Sequence, residues 1–272
     1  MRPLLALAAL GALLALIGCS THDGTPTSGT VGTVRLQLTD APGPFDAVNL
    51  VVNEVAIHRG MADSLEQGGM QDSLSGWEVL SRQPATFDLM QLRNGVFATL
   101  AQAMVPAGHY TQIRLKLGAG SNVVVGGVTY ALDVPSGMQS GFKLTGEFDV
   151  PASGLLELAL DFDAARSIHQ TGGGTYMLKP TCRVMPMVDV GGIAGTLVPD
   201  STAASIYAIS GTDTIATGMP ALDGHFLLTL LKAGTYTLAI HPEAVYRDTS
   251  FAAVVVAAQQ ITQMGEIQLT AK

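Results

Sequence analysis

The sequence predicts an all-β protein built as two tandem antiparallel β-sandwich domains, preceded by a short apolar N-terminal segment and a flexible tether. Three observations predict it. From Gly32 onward apolar and polar residues alternate with period two, so that each strand buries one face and solvates the other. The 272-residue chain is 47% hydrophobic and only 13% charged, and its 31 glycines recur with proline at the ends of the alternating runs. No apolar stripe of helical period is long enough to dictate the fold.

Residues 1–18 carry one basic side chain, Arg2, and an apolar run from Leu4 to Ile17. As a helix that run spans roughly 21 Å against a hydrocarbon core of ~30 Å, which fits a signal peptide and not a membrane span. The ending Leu16-Ile17-Gly18-Cys19 resembles the bacterial lipobox, in which a small residue precedes an invariant cysteine. The resemblance implies cleavage after Gly18, acylation of Cys19 and a stable membrane anchor through more than one acyl chain. Ser20 follows the cysteine, which by the same resemblance directs the protein to the outer membrane. Residues 19–31 are rich in Ser, Thr, Gly and Pro and read as the tether.

The first domain is expected over 32–190. Val34, Leu36 and Leu38 form one face of its first strand. In the run from Asp46 to Arg59 the apolar face shifts from Val48, Leu50 and Val52 to Val55 and Ile57, which calls for a β-bulge near Asn53. Further strands are expected near 76–81, 84–91, 121–125, 127–134, 141–150 and 175–189, around Ile113-Leu115-Leu117 and through Leu156-Leu158-Leu160-Phe162. Residues 60–75 read as a long polar hairpin loop. Two short helices are expected, Asn94–Met104 from the spacing of Val96, Leu100 and Met104, and one turn at Ala164–His169. Gly191-Gly192 marks the expected boundary, and strands follow near 193–198, 204–210, 213–217, 224–231, 235–241, 250–257 and 261–269. One short echo links the halves: Ala107-Gly108-His109-Tyr110-Thr111 against Ala233-Gly234-Thr235-Tyr236-Thr237. In each, Tyr opens a strand where its ring packs and its hydroxyl finds backbone.

Several stations carry a family resemblance in the first domain. They include Leu38-Thr39-Asp40-Ala41-Pro42, Leu89-Met90-Gln91-Leu92-Arg93-Asn94-Gly95, Pro106-Ala107-Gly108-His109-Tyr110 and Leu160-Asp161-Phe162-Asp163-Ala164-Ala165-Arg166-Ser167. On these, residues 34–188 closely resemble the bacterial family called domain of unknown function 4382. The resemblance implies an exported β-sandwich lipoprotein and no established activity. In the tail, Gly192-Ile193-Ala194-Gly195-Thr196-Leu197, Asp223-Gly224-His225-Phe226 and Ala233-Gly234-Thr235-Tyr236 resemble a transthyretin-like, carboxypeptidase-regulatory domain over 191–272.

Charge and motifs narrow the function. With 14 Lys+Arg against 22 Asp+Glu the formal net charge is −8, too acidic to neutralise a run of phosphates, so nucleic acid is excluded as a partner. Cys19 and Cys182 are the only cysteines, which excludes a disulfide scaffold and a cysteine-based zinc site. Cys182 alternates in phase with Leu178 and Val184 and reads as a buried structural thiol. The six histidines are scattered without ligand spacing, and no Gly-x-Ser-x-Gly, His-Glu-x-x-His or phosphate-binding loop occurs.

Asp161 and Asp163 lie two apart on one non-core face of a strand, and Asp40 lies in a turn. With loop carbonyls the three have the chemistry to ligate Ca²⁺; equally, Asp40 caps its own turn and the pair ends a strand beside Arg166. Asp161 and Asp163 as acid and base of a hydrolase is the less favoured alternative, because no aromatic sugar platform adjoins them. Trp77, the only tryptophan, is expected to pack under the long loop. The reading is a non-enzymatic, lipid-anchored envelope protein facing the periplasm or the cell surface. It binds a glycan or an envelope protein, or serves as a calcium-stabilised scaffold, and requires no other cofactor.

Overall fold

The computed structural model describes residues 31–41, 43–60, 76–135, 140–243 and 245–272. The signal peptide, Cys19, His22, the tether up to residue 30 and the hairpin loop at 61–75 lie outside the described residues.

The alternating sequence becomes four sheets. Strands β1 (Val31–Ala41), β5 (Ala98–Pro106), β10 (Leu155–Asp163) and β13 (Cys182–Pro186) form one, in the order β13-β10-β1-β5. The facing sheet gathers β2 (Ala47–Arg59), β3 (Trp77–Ser81), β4 (Ala85–Asp88), β6 (Gly108–Leu117), β7 (Asn122–Val125), β8 (Val128–Asp133), β9 (Phe142–Val150), β11 (Ile168–Gln170) and β12 (Tyr176–Leu178). Val34, Leu36 and Leu38 of β1 meet Leu50, Ile57, Ile113 and Leu115 from the opposite sheet in one core, each at most 1% exposed. The second half repeats the plan with β14 (Val190–Val198), β15 (Ala204–Ser210), β16 (Asp213–Gly218), β17 (His225–Lys232), β18 (Gly234–Pro242), β19 (Thr249–Val256) and β20 (Ile261–Gln268). These pair as β17-β14-β20 and β16-β15-β18-β19 around a core that includes Ile193, Ile206, Leu228 and Leu238.

The repetition extends to connectivity. β1 lies between antiparallel β5 and parallel β10, and β14 lies between antiparallel β17 and parallel β20. β2 is flanked by β4 and β6 as β15 is by β16 and β18, and β6 pairs with β9 as β18 does with β19. Each half therefore holds a parallel pair at its first strand, and the first half a second one between β8 and β12, inside sheets expected to be antiparallel. Parallel neighbours need a crossover, and in each half most of the chain between the paired strands runs through the other sheet.

The tyrosines of the sequence echo stand at equivalent corners. Between β5 and β6, and again between β17 and β18, the chain leaves one sheet for the other through Ala-Gly. Tyr110 Oη donates to the Pro106 carbonyl at 2.8 Å, and Tyr236 Oη donates to the Lys232 carbonyl at 2.8 Å, each reaching four residues back. Both rings are buried. Each hydroxyl thus satisfies a carbonyl at a bend where the ladder cannot.

The bulge expected near Asn53 is present: Val52 pairs with Leu117 and Glu54 with Lys116, leaving Asn53 unmatched. The one-turn helix is α1 (Ala164–Ser167). The helix expected over 94–104 is not formed. Arg93 to Val96 is a tight turn closed by a 3.1 Å hydrogen bond, with Asn94 and Gly95 at φ 51° and 81°. Two successive left-handed residues cannot start a right-handed helix, and Asn-Gly is the pair that such a turn selects. The following residues are β5. Val96, Leu100 and Met104 are spaced by four, which also suits one face of a strand, but a bulge at Leu100 turns Met104 outward to 76% exposure.

Gly191 and Gly192, expected at the joint, lie buried inside β14. A Cβ at Gly191 would stand 2.2 Å from the Ala257 carbonyl oxygen, so the close approach of the 257–260 turn requires glycine. The chain passes into β14 through a 3₁₀ turn at Met187–Asp189, and Ala159 and Met185 pack against Val190 and Leu230 across the joint.

If the corners hold the two sheets of each half together, Tyr110→Phe and Tyr236→Phe should each lower the unfolding free energy by ~1 kcal/mol in urea titrations. Unchanged midpoints would show that the corners are held by packing alone.

Candidate functional site

A cleft of about 660 Å³ opens where the two halves meet, and it gathers the acidic residues expected from sequence. One wall comes from the ends of β1, β10 and β13 and the 93–96 turn; the other comes from β16 and β17. Asp40, Asp161 and Asp163 all line it, together with Arg166, Arg183 and, from the second half, Asp213.

Local register decides what each carboxylate does. Thr39 stands opposite Asp161 and Asp40 opposite Phe162 along the parallel β1–β10 ladder. Asp40 therefore continues the core face of β1, while Asp161 and Asp163 emerge on the other face. Asp40 is 5% exposed; its Oδ1 accepts the Ala164 N–H at 3.0 Å, and its Oδ2 is buried without a hydrogen-bond partner. Burial, opposed by the Ala164 N–H and reinforced by the charges of Asp161 and Asp163, raises its pKa from 3.8 to about 9. Asp161 accepts from Arg183 Nε at 3.0 Å and from Nη2 in a closer contact. Burial nonetheless pushes its pKa up, with Arg183 acting against the shift. Asp163 Oδ1 accepts the Arg166 N–H at 2.9 Å and caps α1. Among the described residues no three His, Cys, Asp or Glu side chains are grouped to hold a metal ion.

The remaining polar groups follow the same pattern. Cys182 lines the cleft, half-buried against the core, and burial with three carboxylates nearby drives its thiol pKa well above the ordinary value, so it stays protonated. His109 bonds Asp149, His225 bonds Thr196 and His241 bonds Asp248, all on exposed surfaces apart from the cleft. Trp77 stands on the outer face of the larger sheet with its ring edge against His58; the loop expected above it lies outside the described residues. Sequence reasoning missed Asn94, Asp213 and the threonines of β16. They are separated from β1 and β10 by tens of residues or more; the contact of the 92–96 segment with Thr39 brings in Asn94, and only the docking of the halves brings in Asp213 and the threonines.

Residues 31–180 match the model of the family described as Domain of unknown function (DUF4382). The chain belongs to that family. No curated protein matches it. Among solved structures it is similar to an interface mutant of a type II cohesin–X-dockerin complex from Acetivibrio cellulolyticus. The identity there is 21% over 30% of this chain and 58% of that chain, with a TM-score of 0.26. It is also similar to a minor pilin of Streptococcus agalactiae, at 11% identity over 88% of this chain and 96% of that one, TM-score 0.22. A third likeness is the Bacillus anthracis TIE protein, at 12% identity over 89% and 34% of the two chains, TM-score 0.24. The chain thus spans little more than half of the cohesin–dockerin chain, and superpositions this loose carry no argument about function.

The buried carboxyl of Asp40 makes stability depend on pH. Between its ordinary value near 3.8 and about 9 it is protonated when folded and ionised when unfolded. Folding then takes up a proton, and stability falls as pH rises through that window. Asp40→Asn is expected to flatten the fall and to gain more in melting temperature at pH 8 than at pH 5. An equal shift at both would contradict it.

Proposed function

We propose that this chain is an exported, lipid-anchored envelope protein with a non-catalytic binding or structural role, and that the cleft between its halves is the binding site. One observation carries the reading: every acidic side chain expected to do chemistry in the cleft is already committed to holding the fold. Asp40 holds the start of α1, Asp161 is held by Arg183 and Asp163 caps α1. A general acid or nucleophile must present a free oxygen to its substrate; the oxygen of Asp40 without a partner is buried, and Asp161 and Asp163 are tied to Arg183 and to the start of α1. The cleft mixes acidic, basic and threonine side chains with Ile215 and Leu227, which suits a protein loop or the hydroxyls of a glycan.

The lipobox-like Leu16-Ile17-Gly18-Cys19 supports anchoring at Cys19, and Ser20 supports the outer membrane. We read 32–190 and 191–272 as two folding units, the second transthyretin-like. The repeated strand connectivity supports that division, and Ala159, Met185, Val190 and Leu230 pack together at the joint.

The test pairs location with chemistry. Cys19→Ala should move the protein out of the membrane fraction or stall its processing. Purified wild type should retain an envelope glycan or protein without turning over glycoside, ester or peptide substrates. Membrane partition unchanged in Cys19→Ala would remove the anchor. Hydrolysis abolished by Asp161→Asn in a still-folded protein would replace the binding role with an enzyme.

A further inference from the structure

Away from the cleft, on the outer face of the larger sheet, an acidic chain concentrates its positive charge. Four of the 14 basic residues share this face, Arg114 and Lys143 over the single tryptophan and Arg82 and Lys116, with Arg114, against Glu54. Arg114 and Lys143 stand directly opposite each other on β6 and β9. Like charges so placed cost stability. The indole of Trp77 offsets part of this, with the Arg114 guanidinium 4.2 Å and the Lys143 ammonium 5.6 Å from the ring centroid. One carboxylate, Glu54, serves the other contacts, at 3.0 Å from Arg114, 2.9 Å from Lys116 and 3.5 Å from Arg82. Against the effect of burial, Lys116 and Arg114 hold its pKa below the ordinary value. Arg114 Nε remains buried without a partner.

We infer that this face, from Trp77 across β2 and β6 to Lys143 on β9, binds a linear glycan that carries carboxylates. The cations lie as a strip across strands spaced ~4.8 Å apart, not around a pocket, which suits repeating charges on an extended chain and not one compact anion. The net charge of −8 opposes an extended anionic surface such as a bilayer. A single polymer laid on the strip meets only the local charge, because distant carboxylates are screened beyond ~8 Å. The backbone of β6 is already paired on both sides, so a peptide cannot add to it as a strand. The directly paired Gln112 and Thr145 alongside supply amide and hydroxyl groups for sugar hydroxyls. This surface is separate from the cleft and stands whether or not the cleft binds a partner.

Because Trp77 is the only tryptophan, its emission reports on the site directly. Polygalacturonate added to the purified protein should change that emission saturably, with calorimetric heat that weakens as salt rises. Lys116→Ala with Lys143→Ala should bind at least about fivefold more weakly while keeping the circular dichroism of wild type. Dextran should not bind. Absence of polygalacturonate binding by both readouts, or equal binding by the double variant, overturns the proposal. Equally tight binding of poly-glutamate or of anionic vesicles overturns it in favour of an acidic protein or a membrane.

Discussion

Strand β1 is the element on which the rest depends. Its ladder to β10 on one side and β5 on the other puts Val34, Leu36 and Leu38 at the centre of the first core. Where the ladder ends, the same strand arranges the cleft. Thr39 Oγ1 shares its one proton between the Leu92 carbonyl at 2.8 Å and the Val96 carbonyl at 3.0 Å, fixing the turn that bears Asn94. Asp40, one residue on, holds the start of α1 through the Ala164 N–H. A shift of β1 by one residue would exchange its faces, burying Arg35 and Gln37 and releasing both the turn and the helix. The second half uses β14 in the same position between β17 and β20.

Most of this was legible as alternation, because period two in a half-buried strand is written directly into side-chain polarity. The bulge at Asn53 was legible for the same reason: a slip of register moves the apolar face. The 94–104 segment was misread because residues spaced by four satisfy a strand as well as a helix. Asn94-Gly95, the stronger local signal, was outweighed by that spacing. The parallel pairings were not legible. A strand carries no mark of its partner's direction, and β1 and β10 are separated by more than a hundred residues.

The candidate site divided along the same line. That Asp161 and Asp163 share an outward face follows from their spacing. That Asp40 lies on the opposite, core face follows only from the register of Asp40 with Phe162. The tyrosine echo was legible as sequence, and its meaning came from topology, since Tyr110 and Tyr236 occupy the same corner of the same strand order. The tryptophan face illustrates the limit most clearly. Arg82, Arg114, Lys116 and Lys143 are scattered in sequence, and only the pairing of β2, β6 and β9 assembles them around Glu54 and Trp77.

The claim that β1 carries the fold is most directly tested by native-state amide hydrogen exchange resolved to single residues. The account predicts that the amides of Leu36 and Leu38 in β1, with Leu158 and Leu160 in β10, exchange only through global unfolding, at the free energy measured in urea. Exchange of these amides through a lower-energy local opening, while β6 and β9 stay protected, would contradict it.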